Sequence, residues 1–310
     1  MRKLLPSSLV LLAAVGSAWA DWNVEFDFNS GIPQEVFVSN LIEGGTAVAD
    51  TLDGWMRLQH GDPLEDTNNL WVMLPLSEDL KAASIAANGP VTVYFEMMHP
   101  SVSGTPAIVD VAWGLSNEDP DTVLETRYNV FNAMMRINAG TSGFELRDGG
   151  SYVPVTLLET DTPYQVWIVV DYTLNYMEVF MQGGTGDYAS QTSIGVAAFR
   201  VDPAAEQTVD YFAIGCSDGT LAEPKGVDYF LFDNVAIDTT GQNLATPSIA
   251  EPVTWAGYTV DGNGNANTGD WLGIINVTHA PWVYSWSMGA YLYIEEANVT
   301  DGGGWVYVSK

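Results

Sequence analysis

Residues Tyr164–Gly184 read YQVWIVVDYTLNYMEVFMQGG, and this stretch decides the fold class. Two runs rich in β-branched and aromatic residues, Gln165–Asp171 and Tyr176–Met181, flank a short polar turn that holds Thr173 and Asn175. The second run closes on Gly183-Gly184. Val166, Ile168 and Val170 fall on one face by the period of two of a strand. The spacing predicts an antiparallel hairpin inside a β-sandwich.

Outward from the hairpin, Asp21 to about Thr240 alternates short β-type runs with clusters of Gly, Pro, Asn and Asp. Val91–Met97, Ala107–Trp113, Ala133–Asn138, Phe144–Arg147 and Tyr229–Ile237 are such runs. Long helical periodicity is absent, and Leu80–Ala87 reads as one short helix or helical turn. Many short strands without βα alternation predict an all-β, two-sheet antiparallel sandwich. Its length exceeds that of an immunoglobulin-type domain and fits a jelly roll with more strands. Phe26–Phe28 and Phe230–Val235 are expected to meet at one edge of it.

The order of these pieces resembles laminin-G-like domains of the concanavalin-A-like jelly-roll superfamily. EFDFNSGIP (Glu25–Pro33) is similar to the first strand that such domains pair with their last one. GPVTVYFEMM (Gly89–Met98) and FELRDGG (Phe144–Gly150) resemble the strands before the Trp-containing hairpin. YFLFDNVAID (Tyr229–Asp238) resembles the closing strand. The resemblance implies a scaffold that often binds carbohydrate. It also implies one structural calcium where first and last strands meet, held by Asp27 and Asp233 with backbone carbonyls. Asn234 stands where a second Asp is common, which lowers the charge of such a site.

At the N-terminus, Arg2 and Lys3 precede the mostly apolar Leu4–Val15, and Ala18-Trp19-Ala20 offers a small-x-small cleavage pattern. Residues 1–20 read as a secretory signal peptide. The apolar run is too short for a membrane span and is interrupted by Pro6, Ser7 and Ser8. Without it, eight basic residues face 39 acidic ones, a net charge of −31. That excess argues against nucleic acid and acidic membrane surfaces as partners. It fits either solubility in a salty, cation-rich medium or cation binding. Cys216 is the single cysteine. No intramolecular disulfide is possible, and its apolar neighbours make it a buried, inert thiol.

Residues 241–254 are polar, carry Pro247 and Pro252, and read as an extended linker. Beyond it, residues 255–310 hold five of the eleven Trp and five of the fourteen Tyr. WAGY, DWLG, PWVYSWSMGAYLYI and GGGWVYV read as a small aromatic β-hairpin module. It resembles the short aromatic C-terminal modules of exported bacterial proteins.

Aromatic faces stack on the apolar faces of sugar rings, so an exposed row of Trp is a glycan platform. Against that stands the need of a module this small for large side chains in its own core. Trp271, Trp282, Tyr284 and Trp286 are the candidate ligand-binding residues. Trp282, Tyr284 and Trp286 share a face if the chain is extended there, and the same pattern suits a core stripe.

DGNGNANTGD (Asp261–Asp270) is a second cation candidate, since Asp261, Asn263, Asn265 and Asn267 alternate as in a calcium loop and Asp270 closes the run. It departs from an EF-hand at Ala266 and lacks the closing Glu, and its Asn-Gly and Thr-Gly pairs equally read as turns.

No Glu-x-Asp-x-x-Glu run of concanavalin-like hydrolases is present, nor the Arg-x-Glu-x-Arg and Gln-x-His of alginate lyases. No catalytic residue is assigned. His60, His99 and His279 lack metal-ligand spacing, and His99 before Pro100 reads as a solvated loop residue. The sequence therefore points to a secreted, non-catalytic binding or adhesion protein that recognises an extracellular polysaccharide or cell-surface glycan. The alternatives are a divergent glycoside hydrolase or polysaccharide lyase, and a structural surface or matrix component.

Overall fold

The structure is a computed structural model that describes residues 22–29, 31–34, 36–39, 48–59, 70–79, 81–82, 89–102, 105–106, 110–117, 131–138, 143–200, 210–217, 229–248, 254–260, 263–300 and 303–308. The signal peptide expected at residues 1–20 and most of the short helix expected at Leu80–Ala87 lie outside the described residues. Beside the latter, Lys81 donates its backbone N–H to Ser77 O at 3.0 Å, one helical turn.

The chain forms a jelly-roll sandwich of two antiparallel sheets. The first runs in the order Thr192–Ala198, Tyr176–Gly183, Pro163–Asp171, Val91–Met98, Tyr229–Asp238, Trp55–Gln59, Val48–Leu52. The second runs Ser151–Leu157, Gly143–Asp148, Met134–Asn138, Asp110–Ser116, Tyr211–Ser217, Leu70–Pro75, Phe37–Ser39.

The hairpin pairs as its sequence predicts, from Asp171 opposite Tyr176 to Tyr164 opposite Gly183. Asn175 takes a left-handed φ of 55° in the turn, a conformation Asn tolerates better than most residues. Val166, Ile168 and Val170 point between the sheets with Val93, Phe95, Ile214 and Phe232. Trp113 sits at the centre of that layer. Its ring centroid lies 5.6–6.1 Å from those of Phe95, Phe144, Phe230 and Phe232, so one indole bridges both sheets. Gly114 beside it is required by close approach: a Cβ there would lie 1.8 Å from Ala133 O.

The opening strand Asn23–Phe26 pairs with Tyr229–Asp238, Asn23 opposite Ile237 and Phe26 opposite Val235. The closeness expected of Phe26–Phe28 and Phe230–Val235 is present. Tyr229–Asp238 itself lies inside the sheet, between Val91–Met98 and Trp55–Gln59, whereas Asn23–Phe26 pairs with it alone among the described strands and so forms an edge there. His99, expected as a solvated loop residue, is instead fully buried, with its ring packed 6.1 Å from that of Phe230.

The outer face of the first sheet is also buried, where Tyr94, Trp167 and Ala236 form a cluster with Trp22, Phe180 and Leu244 packed against it. Coverage on both faces is why the hairpin reads as a near-continuous apolar run. The cover comes from the start of the expected linker. Trp167 donates its indole N–H to Ala245 O at 3.1 Å, and Gln191 Nε2 donates to Leu244 O at 2.6 Å. Asn243 donates its backbone N–H to Thr92 Oγ1 at 2.9 Å, and its Nδ2 donates to the buried Asp238 carboxylate at 2.8 Å. Residues 241–245 are thus a docked strap rather than a free spacer.

Asn243→Ala should cost about 1–3 kcal/mol, because it leaves the Asp238 carboxylate short of a buried donor. The expected readout is a melting temperature lowered by several degrees, with faster amide exchange at Ala245 and unchanged exchange in Tyr176–Gly183.

Candidate functional site

Five short strands of the C-terminal region form a further antiparallel sheet, Asn265–Asn267, Ile274–Asn276, Trp282–Ser285, Ala290–Tyr293 and Tyr307–Val308. Strand alternation sorts its side chains. Ala266, Ile275, Val283, Leu292 and Ile294 turn inward and are buried with Trp255. Trp282, Tyr284, Tyr291 and Tyr293 turn outward, with Trp282 opposite Tyr293 and Tyr284 opposite Tyr291. Tyr307 follows beside Tyr293 on the next strand. The outward row is a second aromatic layer, distinct from the core.

Trp286, just past the third strand, is 60% exposed, and Trp282 is 44% exposed. The Tyr284 ring lies 5.0 Å from Trp286 and 5.1 Å from Tyr291, both tilted steeply. Trp282 meets Tyr293 edge-on at 5.1 Å, and Tyr293 meets Tyr307 at 6.3 Å. Around Trp286 the surface opens into a groove of about 400 Å³ lined by Asn276, Thr278, His279, Tyr284, Trp286 and Tyr291. Its aromatic floor and uncharged polar wall suit a ligand with apolar faces and hydroxyl edges.

Hydrogen bonds hold the groove in shape. Asn265 Oδ1 accepts from the Trp286 indole at 3.2 Å and from Asn276 Nδ2 at 3.0 Å. Asn276 Nδ2 also donates to Asn263 O at 2.9 Å, while its Oδ1 accepts from Thr278 N at 3.2 Å. Gly264 has φ +78°, and a Cβ there would lie 2.1 Å from Thr278 Oγ1, so this turn needs glycine.

These contacts revise the reading of Asp261–Asp270 as a cation loop. Asn265 sits in a strand and directs its oxygen at Trp286, Asn267 Oδ1 caps the N–H of Gly269 at 3.0 Å, and Asp270 is solvent-exposed in a turn. Asn263 is exposed and serves the wall through its backbone, and Asp261 lies outside the described residues.

Trp282, Tyr284 and Trp286 are brought together on the outward face. Trp271 is not among them. It is partly buried against the core of the module and stacks on Tyr258 at 6.5 Å. Sequence reasoning missed Tyr291, Tyr293 and the wall residues Asn276, Thr278 and His279. The alternation Tyr291-Leu292-Tyr293 was a usable signal for the first two. Nothing local marks the wall.

In the sandwich, Asp233 and Asn234 form a bulge against Val91–Met98, where Asp233 faces Glu96 and the register shifts before Ala236. Asn234 takes φ 57°. The Asp233 side chain is 6% exposed. Burial pushes its carboxyl up to about 7, and Glu96 and Asp27 push in the same direction. The N–H groups of Asn234 at 2.8 Å and Phe28 at 3.4 Å oppose this by donating to Oδ1. Tyr94 donates its hydroxyl to Glu96.

Asp27 is exposed beside this bulge. Among the described residues no three His, Cys, Asp or Glu side chains come together as a metal set. A calcium at Asp27 and Asp233 therefore requires further oxygens from the backbone. The repulsion that Glu96 and Asp27 exert on the Asp233 carboxylate is what such an ion would relieve.

No protein-family model matches the chain, and no curated protein matches it. Solved structures do. The chain is similar to a sialidase at 14% identity and TM-score 0.44, over 70% of this chain and 18% of the sialidase. It is similar to the seed lectin of Lotus tetragonolobus at 10% identity and TM-score 0.42, over 66% of this chain and 93% of the lectin. A GH131 β-glucanase catalytic domain from Podospora anserina aligns at 12% identity and TM-score 0.39, over 60% and 74%. This chain thus spans under a fifth of the sialidase's length. No helix among the described residues is long and apolar enough to cross a membrane.

Proposed function

We propose that this is a secreted, non-catalytic binding protein that holds an extracellular glycan on the aromatic face of its C-terminal sheet. One observation carries the reading. Trp286, Tyr284 and Tyr291 line an open groove whose wall is polar and bears no fixed charge. Aromatic faces left to solvent at this density are costly unless something covers them, and sugar rings present the complementary apolar face and hydroxyl rim. The leader pattern at residues 1–20 supports export. The acidic balance argues against nucleic acid as a partner. The sandwich of residues 21–240 serves as scaffold for the module at 255–310, with one calcium at Asp27 and Asp233 as a structural cofactor.

Trp286→Ala tests the reading. Loss of one stacking ring is worth about 1–3 kcal/mol where nucleic-acid bases stack on aromatic side chains, so glycan affinity should fall roughly tenfold or more. Stability should barely change, since Trp286 is 60% exposed. Binding of the wild type and variant to a panel of neutral and sulfated polysaccharides, with and without EDTA, gives the measurement. A wild type that binds no member of the panel removes the reading.

One observation favours the enzymatic alternative. Asp233, pushed up to about 7, faces Glu96 across paired strands, and a carboxyl that holds its proton near neutral pH opposite a second carboxyl is an arrangement glycoside hydrolysis uses. Release of reducing ends or unsaturated products that stops in Asp233→Asn would favour it over binding alone.

A further inference from the structure

We infer that the aromatic face takes a neutral polysaccharide chain laid across two adjacent stacking positions, rather than a single sugar or an anionic glycan. This rests on the glycan-binding reading above and specifies its ligand.

The first argument is charge. None of the six groove residues carries a fixed positive charge. Carboxylated and sulfated sugars are held by Arg and Lys through charge-assisted, often bidentate hydrogen bonds, and the groove offers none. The acidic side chains nearby point the other way. Glu295 accepts a hydrogen bond from the Tyr293 hydroxyl at 2.9 Å, at the end of the aromatic row. With a formal net charge of −29 on the whole chain, a polyanion approaches this face against the field.

The second argument is the spacing of the rings. Trp286 with Tyr284 and Tyr291 makes one position, and Trp282 with Tyr293 and Tyr307 makes another. Trp282 opens a strand that ends at Ser285 and Trp286 follows directly in the turn, so about 10 Å of extended backbone separates the two positions. One pyranose ring does not reach across that interval, whereas consecutive rings of one chain do. Each edge-on contact covers at most one face of one ring, and Trp286, Tyr291 and Tyr307 are 60%, 52% and 69% exposed, so ring faces remain for a ligand. The two positions also differ. The Trp286 position has the polar wall of Asn276, Thr278 and His279, and its indole is fixed by Asn265 at 3.2 Å. It is built to hold a sugar by both face and edge, whereas the Trp282 position adds stacking alone.

The test is calorimetric titration of the full chain with neutral cello-, xylo- and manno-oligosaccharides of one to six units. Alginate and a sulfated galactan are the anionic probes, and Trp282→Ala and Trp286→Ala the variants. At least one neutral series should gain tenfold or more in affinity between two and six units, with no monosaccharide bound. Trp286→Ala should lower affinity at every length. Trp282→Ala should leave two-unit ligands unchanged and remove most of the gain with length. The anionic polymers should bind at least tenfold more weakly than the best neutral series.

A monosaccharide that binds as well as the six-unit chain overturns the inference, as does an anionic polymer that outranks every neutral one. Long-chain affinity unaffected by Trp282→Ala overturns it too. Each of these leaves glycan binding itself standing. A wild type that binds none of the probes removes the underlying reading instead. Self-association by light scattering that both variants abolish assigns the face to a second copy of this chain and overturns the inference.

Discussion

Trp113→Ala should lower the unfolding free energy by about 3–5 kcal/mol, the cost typical of removing a large buried aromatic side chain. Trp113 is fully buried and touches Phe144 of its own sheet and Phe95, Phe230 and Phe232 of the facing one. Its truncation opens a cavity that neither sheet can close alone, because each is held in register by its own ladder. The melting temperature should fall by roughly 10 °C, at about 2–4 °C per kcal/mol for a domain of this size.

Trp113→Phe is the companion variant. The Trp113 indole N–H is buried without a partner, so Phe removes an uncompensated donor while keeping most of the ring. It should cost less than half as much as Ala. Denaturant midpoints on both variants give the comparison. A loss of under about 1 kcal/mol in Trp113→Ala would show that the indole is not the central packing element of the sandwich.

In the absence of calcium, the stability difference between wild type and Asp233→Asn should shrink, then reverse toward the variant, as pH rises from 5 to 8.5. Asp233 has its carboxyl raised in the folded state from an ordinary 3.8 to about 7. A raised carboxyl favours folding while it keeps its proton. That contribution is complete below the unfolded value near 4 and is lost as pH rises through about 7. The whole span corresponds to roughly 4 kcal/mol, of which about 2–3 kcal/mol falls between pH 5 and 8.5. Asn keeps an oxygen for the N–H groups of Phe28 and Asn234 and does not ionise.

Calcium then separates two roles for the same carboxyl. If Asp27 and Asp233 hold the ion, calcium restores wild-type stability at pH 8.5 by about 2.7 kcal/mol at a hundred times Kd, and Asp233→Asn does not respond. Chemical denaturation at the two pH values, with calcium or EDTA, measures all four states. A difference that stays flat with pH removes the buried-carboxyl argument. A full calcium response in Asp233→Asn places the ion elsewhere.

The sandwich was legible because its information is local. In Pro163–Asp171 the period of two puts Val166, Ile168 and Val170 on one face, and Asn175 supplies the left-handed turn residue. No partner strand is needed to read either fact. The pairing of Asn23–Phe26 with Tyr229–Asp238 was legible through resemblance of order, but the two further strands that flank Tyr229–Asp238 were not. Which strands flank a given strand depends on chain reversals far away in sequence.

The same limit governs every site residue. Trp167 alternates with Val166 and Ile168, and only the strap from residue 241 onward, 78 positions away at its hydrogen bond to Ala245, shows that it too is buried. His99 reads as a loop histidine, and only its packing against Phe230 shows otherwise.

In the C-terminal sheet, alternation by itself determined that Trp282 and Tyr284 share a face. It could not say whether that face is core or surface, because either side of a short amphipathic strand can be the apolar one. Burial of Ile275, Leu292 and Ile294 on the opposite side decided the matter. Asn265 and Asn276 are 11 residues apart, and of the two only Asn265 was marked by the sequence, as a cation ligand or turn former. Strand pairing brings their amides within 3.0 Å and turns them into the support for Trp286. A side chain's chemistry is written in its residue type, but its exposure and its partners are set by chain segments that arrive from elsewhere.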